Sequence, residues 1–175
     1  MPHATARHRA RPLLLGNVRS VAVVDGRREP LPVDITLCNN VVAPRATGSR
    51  PSLIVDDVTL SRSGADERVT SDGNAYDRRS TAEAPYLAAW ANDPTGKWVV
   101  RTLADLRAKT GQEGTTRITD DAATNPDVAD ADWGRYGLPA GSSLAAAGVA
   151  LPVSVATALG LPAGAPVPVG ILPPA

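Results

Sequence analysis

The residues of this chain best suited to chemistry are two adjacent carboxylate pairs, one arginine pair and a lone thiol: Asp56-Asp57, Asp120-Asp121, Arg78-Arg79 and Cys38. Two carboxylates hold a divalent cation only when both reach the same point. Neighbours on a strand point to opposite faces, so neither acidic pair makes a metal clamp by itself, and each reads as a solvated turn. Cys38 would need a histidine beside it to act as a nucleophile, and the two histidines, His3 and His8, both lie at the start of the chain. It reads instead as a small buried apolar side chain. Arg78-Arg79 stand beside Tyr76, with Trp90 and Trp98 farther along. Guanidinium groups pair with carboxylates and aromatic rings stack on sugar faces, so Tyr76, Arg78, Arg79, Trp90 and Trp98 are the candidate surface for an anionic sugar. The competing expectation is that Tyr76, Trp90 and Trp98 seal one end of the fold. The spacing shows no Ser-His-Asp arrangement, phosphate loop or metal-ligand pattern, and no metal or other cofactor is expected.

These residues must be positioned by an aliphatic core. The chain has 175 residues, no Phe, three Trp and three Tyr, so Val, Leu, Ile and Ala must supply the buried area. Sixteen Pro and fifteen Gly argue for many turns rather than long helices. With one cysteine, an intrachain disulfide and a cysteine-based zinc site are both excluded. Net charge is zero, but residues 1–50 carry eight Arg against Asp25, Glu29 and Asp34, while residues 118–175 carry one Arg against five Asp. Arg7, Arg9 and Arg11 are followed by neither a basic helix nor interleaved aromatics, so nucleic acid is not an expected partner. No apolar run reaches membrane-spanning length, and Leu13-Leu14-Leu15 is too short for the core of a signal peptide. The chain as written is expected to be cytoplasmic or to have lost its natural start.

A self-alignment at an offset of 23 residues superposes Leu14, Leu37 and Leu60, then Asn17 and Asn40, and sets Asp34-Ile35-Thr36-Leu37 over Asp57-Val58-Thr59-Leu60. Such a period suits one coil of a parallel β-helix or a leucine-rich repeat, and the β-branched residues with a following Asn favour the former. The asparagines would recur at one turn of every coil, giving Asn17, Asn40 and Asn74 a structural role. Strands are expected at Ser20 to Val24, Ser52 to Val55 and Trp98 to Val100, with turns at Glu29 to Pro32 and at Ser71 to Asp77. A short helix is expected from Thr102 to Lys109, with Thr102 as N-cap, Leu103 and Leu106 on one face and Gly111 ending it. Residues 119–132 read as acidic and turn-like, Pro152 to Leu159 as a second short helix, and Pro162 to Pro174 as a polyproline-like tail.

The order Asp72-Gly73-Asn74-Ala75-Tyr76, Trp90, then Thr102 through Thr110-Gly111-Gln112-Glu113, then Asn125-Pro126 resembles the C-terminal end of pectate-lyase-like right-handed β-helix proteins. The resemblance spans roughly residues 34 to 150. The chain departs from that family at Ala140-Gly141-Ser142-Ser143-Leu144 and in its small number of repeats. It implies an all-β, right-handed parallel β-helix fragment of about three coils with one or two short capping helices and an irregular C-terminal tail. The expected organisation is a disordered basic segment at 1–11, coils with the terminal excursion and helix at 12–118, and an acidic, Pro- and Ala-rich extension at 119–175.

The function so implied is the terminal portion of a carbohydrate-active, polysaccharide-lyase-like protein, not catalytic on its own and lacking the rest of the β-helix at its N-terminus. The alternatives are a complete lyase or glycoside hydrolase acting on acidic glycans, or a purely structural or interaction module. Within the family, polysaccharide is the partner, calcium the possible cofactor and the extracellular space the location.

Overall fold

The structure, a computed structural model, describes residues 15–16, 20–24, 27–31, 33–42, 50–56, 62–78, 80–82, 85–93, 96–121 and 138–170. Near the start, β1 (Leu15–Gly16) is followed by β2 (Ser20–Val24) and β3 (Arg27–Leu31), which pair antiparallel as a separate ribbon. The turn expected at Glu29 to Pro32 is thus largely strand, with Pro30 opposite Val21.

Three short strands then form a first pass, β4 (Ile35–Cys38), β5 (Val41–Val42) and β6 (Leu53–Val55). A second pass repeats them as β7 (Thr70–Asp72), β8 (Ala75–Arg78) and β9 (Ala88–Asp93). Each second-pass strand lies parallel to its counterpart, with Thr70 opposite Thr36, Ala75 opposite Val41 and Ala88 opposite Leu53. Two further strands complete the sheets. The strand β10 (Gly96–Val100) folds back antiparallel on β9, and β11 (Arg117–Asp120) joins β8 in parallel, with Arg117 opposite Ala75.

This topology overturns the expected right-handed parallel β-helix of about three coils. Among the described residues, the strands gather into three separate three-stranded sheets and one ribbon. Two of those sheets mix parallel with antiparallel pairs, β1 on β4 and β10 on β9 supplying the antiparallel ones, and among the described residues no sheet closes or runs on as a solenoid. The 23-residue spacing fails with it: Leu37 stands opposite Ser71, and Leu14, Leu60 and Asn17 lie outside the described residues. What recurs is backbone conformation. Asp34 and Arg68 have φ of 57° and 50°, and Asn39 and Gly73 have φ of 57° and 66°, each pair 34 residues apart at matching corners. Left-handed corners decide where a strand can begin and end, and they constrain register more tightly than the identity of one apolar residue.

The main core gathers Val55, Val69, Tyr76, Leu87, Trp90, Val100, Leu103 and Leu106. Its inward residues alternate along β9 and β10, so that Trp90 lies opposite Trp98 and Ala88 opposite Val100. Gly64 makes room for this packing, because a Cβ there would stand 2.5 Å from Trp90 Nε1. The helix α1 (Leu103–Thr110) closes the core with its two leucines. Thr102 Oγ1 accepts from the Asp105 N–H at 3.1 Å, and Gly111, at φ 68°, ends the helix by donating to the Arg107 carbonyl. Two turns of helix are unstable alone in water, and burying each leucine contributes about 1.5–3 kcal/mol.

Residues 138–170 fold back onto the corners of the two passes. A 3₁₀ turn (Ser143–Ala146) and α2 (Val153–Ala158) place Leu144 against Ala75 and Val169. The polyproline-like tail expected from Pro162 is instead partly packed: Pro166 bridges to Ala150, and Val167 and Val169 are buried. The side chain of Asn39 holds this segment as a strand would, accepting from the Val149 N–H and donating to the Val149 carbonyl, both at 2.8 Å.

Candidate functional site: a buried carboxylate network

The densest polar cluster in the described residues surrounds Glu113, which has no exposed surface. Two turns of chain position it. Gly111 ends α1 in a left-handed conformation, and Glu113 itself adopts φ 61°. Arg107, on the last turn of α1, donates to the carbonyls of Glu113 and Thr116 at 2.7 and 2.8 Å and so fixes the loop between them. The same loop covers the edge of β7: the Ser71 N–H donates to Gln112 Oε1 and the Ser71 carbonyl accepts from the Glu113 N–H, both at 2.7 Å.

The Glu113 carboxylate is surrounded by donors. Ser71 Oγ donates at 2.5 Å, the Tyr76 hydroxyl at 2.7 Å and Asn74 Nδ2 at 3.1 Å to both oxygens. The Thr116 hydroxyl donates to the second oxygen and accepts from the Asn74 N–H at 3.0 Å. A carboxylate offers about four acceptor positions, and here they are filled. Burial, then the adjacent Glu113 charge and the hydrogen bond to it, hold the Tyr76 phenol well above its ordinary range despite a smaller opposing effect of Ser71. It therefore stays a neutral donor.

Tyr76, Trp90 and Trp98 are brought together, but within one packed cluster: Tyr76 and Trp90 are buried, and Trp98 packs against them with Lys109 Nζ 5.4 Å from its ring centre. Arg78 is buried as well. Its guanidinium makes a two-pronged contact with Asp120 at 2.7 and 2.6 Å and donates to the Arg101 carbonyl at 2.9 Å. Arg79, like Asp57, lies outside the described residues. Asp56 pairs across the sheet with Lys97, and Asp121 accepts from the backbone and hydroxyl of Thr81. Those hydrogen bonds, the backbone one foremost, hold the Asp121 carboxyl below the usual range. The asparagines Asn40 and Asn74 meet at one corner, Asn40 donating to Asn74 Oδ1.

Glu113, Ser71 and Thr116 are absent from the sequence-derived site. No local signal marked them: Glu113 follows a left-handed helix stop, where a charged residue ordinarily reads as solvent-exposed, and Ser71 and Thr116 reach it only through the fold. Cys38 is half-buried, and burial, followed by the Asp72 charge, raises its thiol pKa, which removes the thiolate a nucleophile requires. It lines a cavity of about 70 Å³ with Thr36, Leu151 and Val155.

No group of three or more His, Cys, Asp or Glu is gathered among the described residues, and no helix there is long and apolar enough to cross a membrane. Neither a protein-family model, nor a curated protein, nor a solved structure matches this chain.

Proposed function

We propose that this chain is a non-catalytic structural module whose buried polar residues hold its strands together. The observation that carries this reading is the saturation of Glu113: its oxygens are occupied by Ser71, Asn74, Tyr76 and Thr116, which commits the carboxylate to holding these segments together. The hydroxyls that face it have likewise committed their protons. A network of this kind supplies rigidity rather than turnover. Incubation with pectate, alginate or glycosaminoglycans, with and without calcium, is expected to yield no unsaturated product by absorbance. Glu113→Gln is expected to lower Tm. Product formation that Glu113→Gln abolishes without changing Tm would overturn the reading.

A second reading, contact with an acidic polysaccharide, has one observation in its favour. An open trough of about 600 Å³ is lined by Leu103, Thr116, Arg117, Thr119, Ser142 and Ser143. It combines an exposed guanidinium with hydroxyls. Retardation in affinity electrophoresis through polygalacturonate, relieved by Arg117→Ala, is the outcome that would favour it over the first reading.

A further inference from the structure

The outer face of the sheet β6–β9–β10 carries an unusual arrangement for a surface. Ile54 on β6 and Val99 on β10 both lie directly opposite Ala89 on β9, and they are 55% and 51% exposed. They are two of the four large apolar side chains exposed among the described residues, and the only two that share a sheet. Two residues along β10, Lys97 lies opposite Ala91 and pairs with Asp56, the residue that follows the end of β6. The face is therefore two ridges, Ile54 with Asp56 and Val99 with Lys97, separated by a trough of alanines.

We propose that this face docks on the same face of a second copy of the chain, about a two-fold axis running parallel to β9 between the two sheets. Rotation about that axis keeps the level along the strands and exchanges β6 with β10. Val99 of each copy then meets Ile54 of the other, and Lys97 of each meets the other's Asp56. Apolar groups meet apolar groups and charges meet opposite charges, each contact occurring twice, as a closed two-fold interface requires. A two-fold axis across the strands would instead set Lys97 on Lys97 or on Val99. The charge pattern thus selects one orientation. The patch is small, three strands about 4.8 Å apart, so the dimer belongs with weak, transient contacts below ~1,200 Å².

Cysteine cross-linking tests this geometry. In a Cys38→Ser background, chains carrying Ile54→Cys are mixed with chains carrying Val99→Cys under oxidised glutathione. The two positions lie two strands, about 9.6 Å, apart within one chain, beyond the ~7 Å Cα limit for an internal disulfide. The mixture is expected to cross-link several-fold more than either variant alone. Equal cross-linking by Val99→Cys alone, which edge-to-edge pairing of β10 would give, overturns the proposal. So does a yield in the mixture no higher than that of Ala104→Cys, an exposed position on α1. In sedimentation velocity the unmodified chain is expected to gain mass with concentration, and Val99→Lys to weaken that association at least about tenfold. A chain monomeric up to about 1 mM, or one whose association ignores Val99→Lys, also overturns it.

Discussion

Asn40 gives both its backbone N–H and its side-chain amide to Oδ1 of Asn74, each at 3.0 Å. Asn74 in turn directs its own amide to Glu113 and, at 3.2 Å, to the Leu37 carbonyl. One buried side chain thus connects the corner of the first pass, the corner of the second and the loop after α1. The bonds span separations of 34 and 39 residues, so they form only when three distant segments are already in place.

Asn74→Ala is expected to destabilise the chain by roughly 1–3 kcal/mol, because it removes the acceptor of the Asn40 backbone N–H and one of the donors to the buried Glu113 carboxylate. Chemical denaturation with an unchanged m-value would measure it. A loss under about 0.5 kcal/mol, the range of ordinary surface changes, would contradict the central role given to this residue.

Alkaline titration reads the Tyr76 environment. The folded pKa is raised, so its contribution to stability is complete below the unfolded tyrosine value of about 10 and is lost as pH rises above that value toward the folded pKa. Native protein is expected to release about one phenolic proton fewer than unfolded protein near pH 11, by absorbance at about 295 nm. Tyr76→Phe should abolish that difference. If wild type and variant titrate alike, the phenol is not held as described.

Arg78→Lys should cost about 1–3 kcal/mol although the charge is kept. A lysine is a single point donor and cannot reproduce the two-pronged contact with Asp120 together with the bond to the Arg101 carbonyl. Because Asp120 is partly exposed, salt should reduce the cost only modestly. Thermal denaturation at low and high ionic strength gives both numbers, and equal stability of the two proteins would refute the assignment.

Gly148→Ala tests whether residues 138–170 are held by specific contact. A Cβ at this position would lie 1.8 Å from the Val167 carbonyl oxygen and 2.7 Å from Asn39 Oδ1. The backbone would have to shift, at roughly 1–3 kcal/mol. Hydrogen exchange is expected to accelerate across residues 142–170 while α1 keeps its protection. Uniform acceleration along the whole chain would show that the segment is not a separable unit.

Local elements with their own chemical signals were readable from the residues. Thr102, Leu103, Leu106 and Gly111 carry a cap, an apolar face and a stop within ten positions, and α1 forms there. The strands β2, β6 and β10 fall where β-branched runs lie between turn residues. The strand β11 was not readable, because Arg117-Ile118-Thr119-Asp120 has a single large aliphatic residue and becomes a strand by pairing with β8, a neighbour 42 residues earlier. Arg78 read as a free surface cation for the same reason: its partner Asp120 arrives only with β11.

The sequence by itself determined the aliphatic composition, the turn-rich chain and the capped helix, since each depends on residues close together along the chain. Tertiary structure alone decided the register. The spacing between passes is set by left-handed corners at Asp34, Arg68, Asn39 and Gly73, and three of these four are residue types for which that conformation is a cost rather than a preference marked as strongly as glycine's. It also decided the fate of Glu113. A carboxylate after a helix reads as solvent-exposed until Ser71, Asn74, Tyr76 and Thr116 converge on it, and only assembly of β7, β8 and the loop after α1 supplies enough donors to make burying that charge favourable.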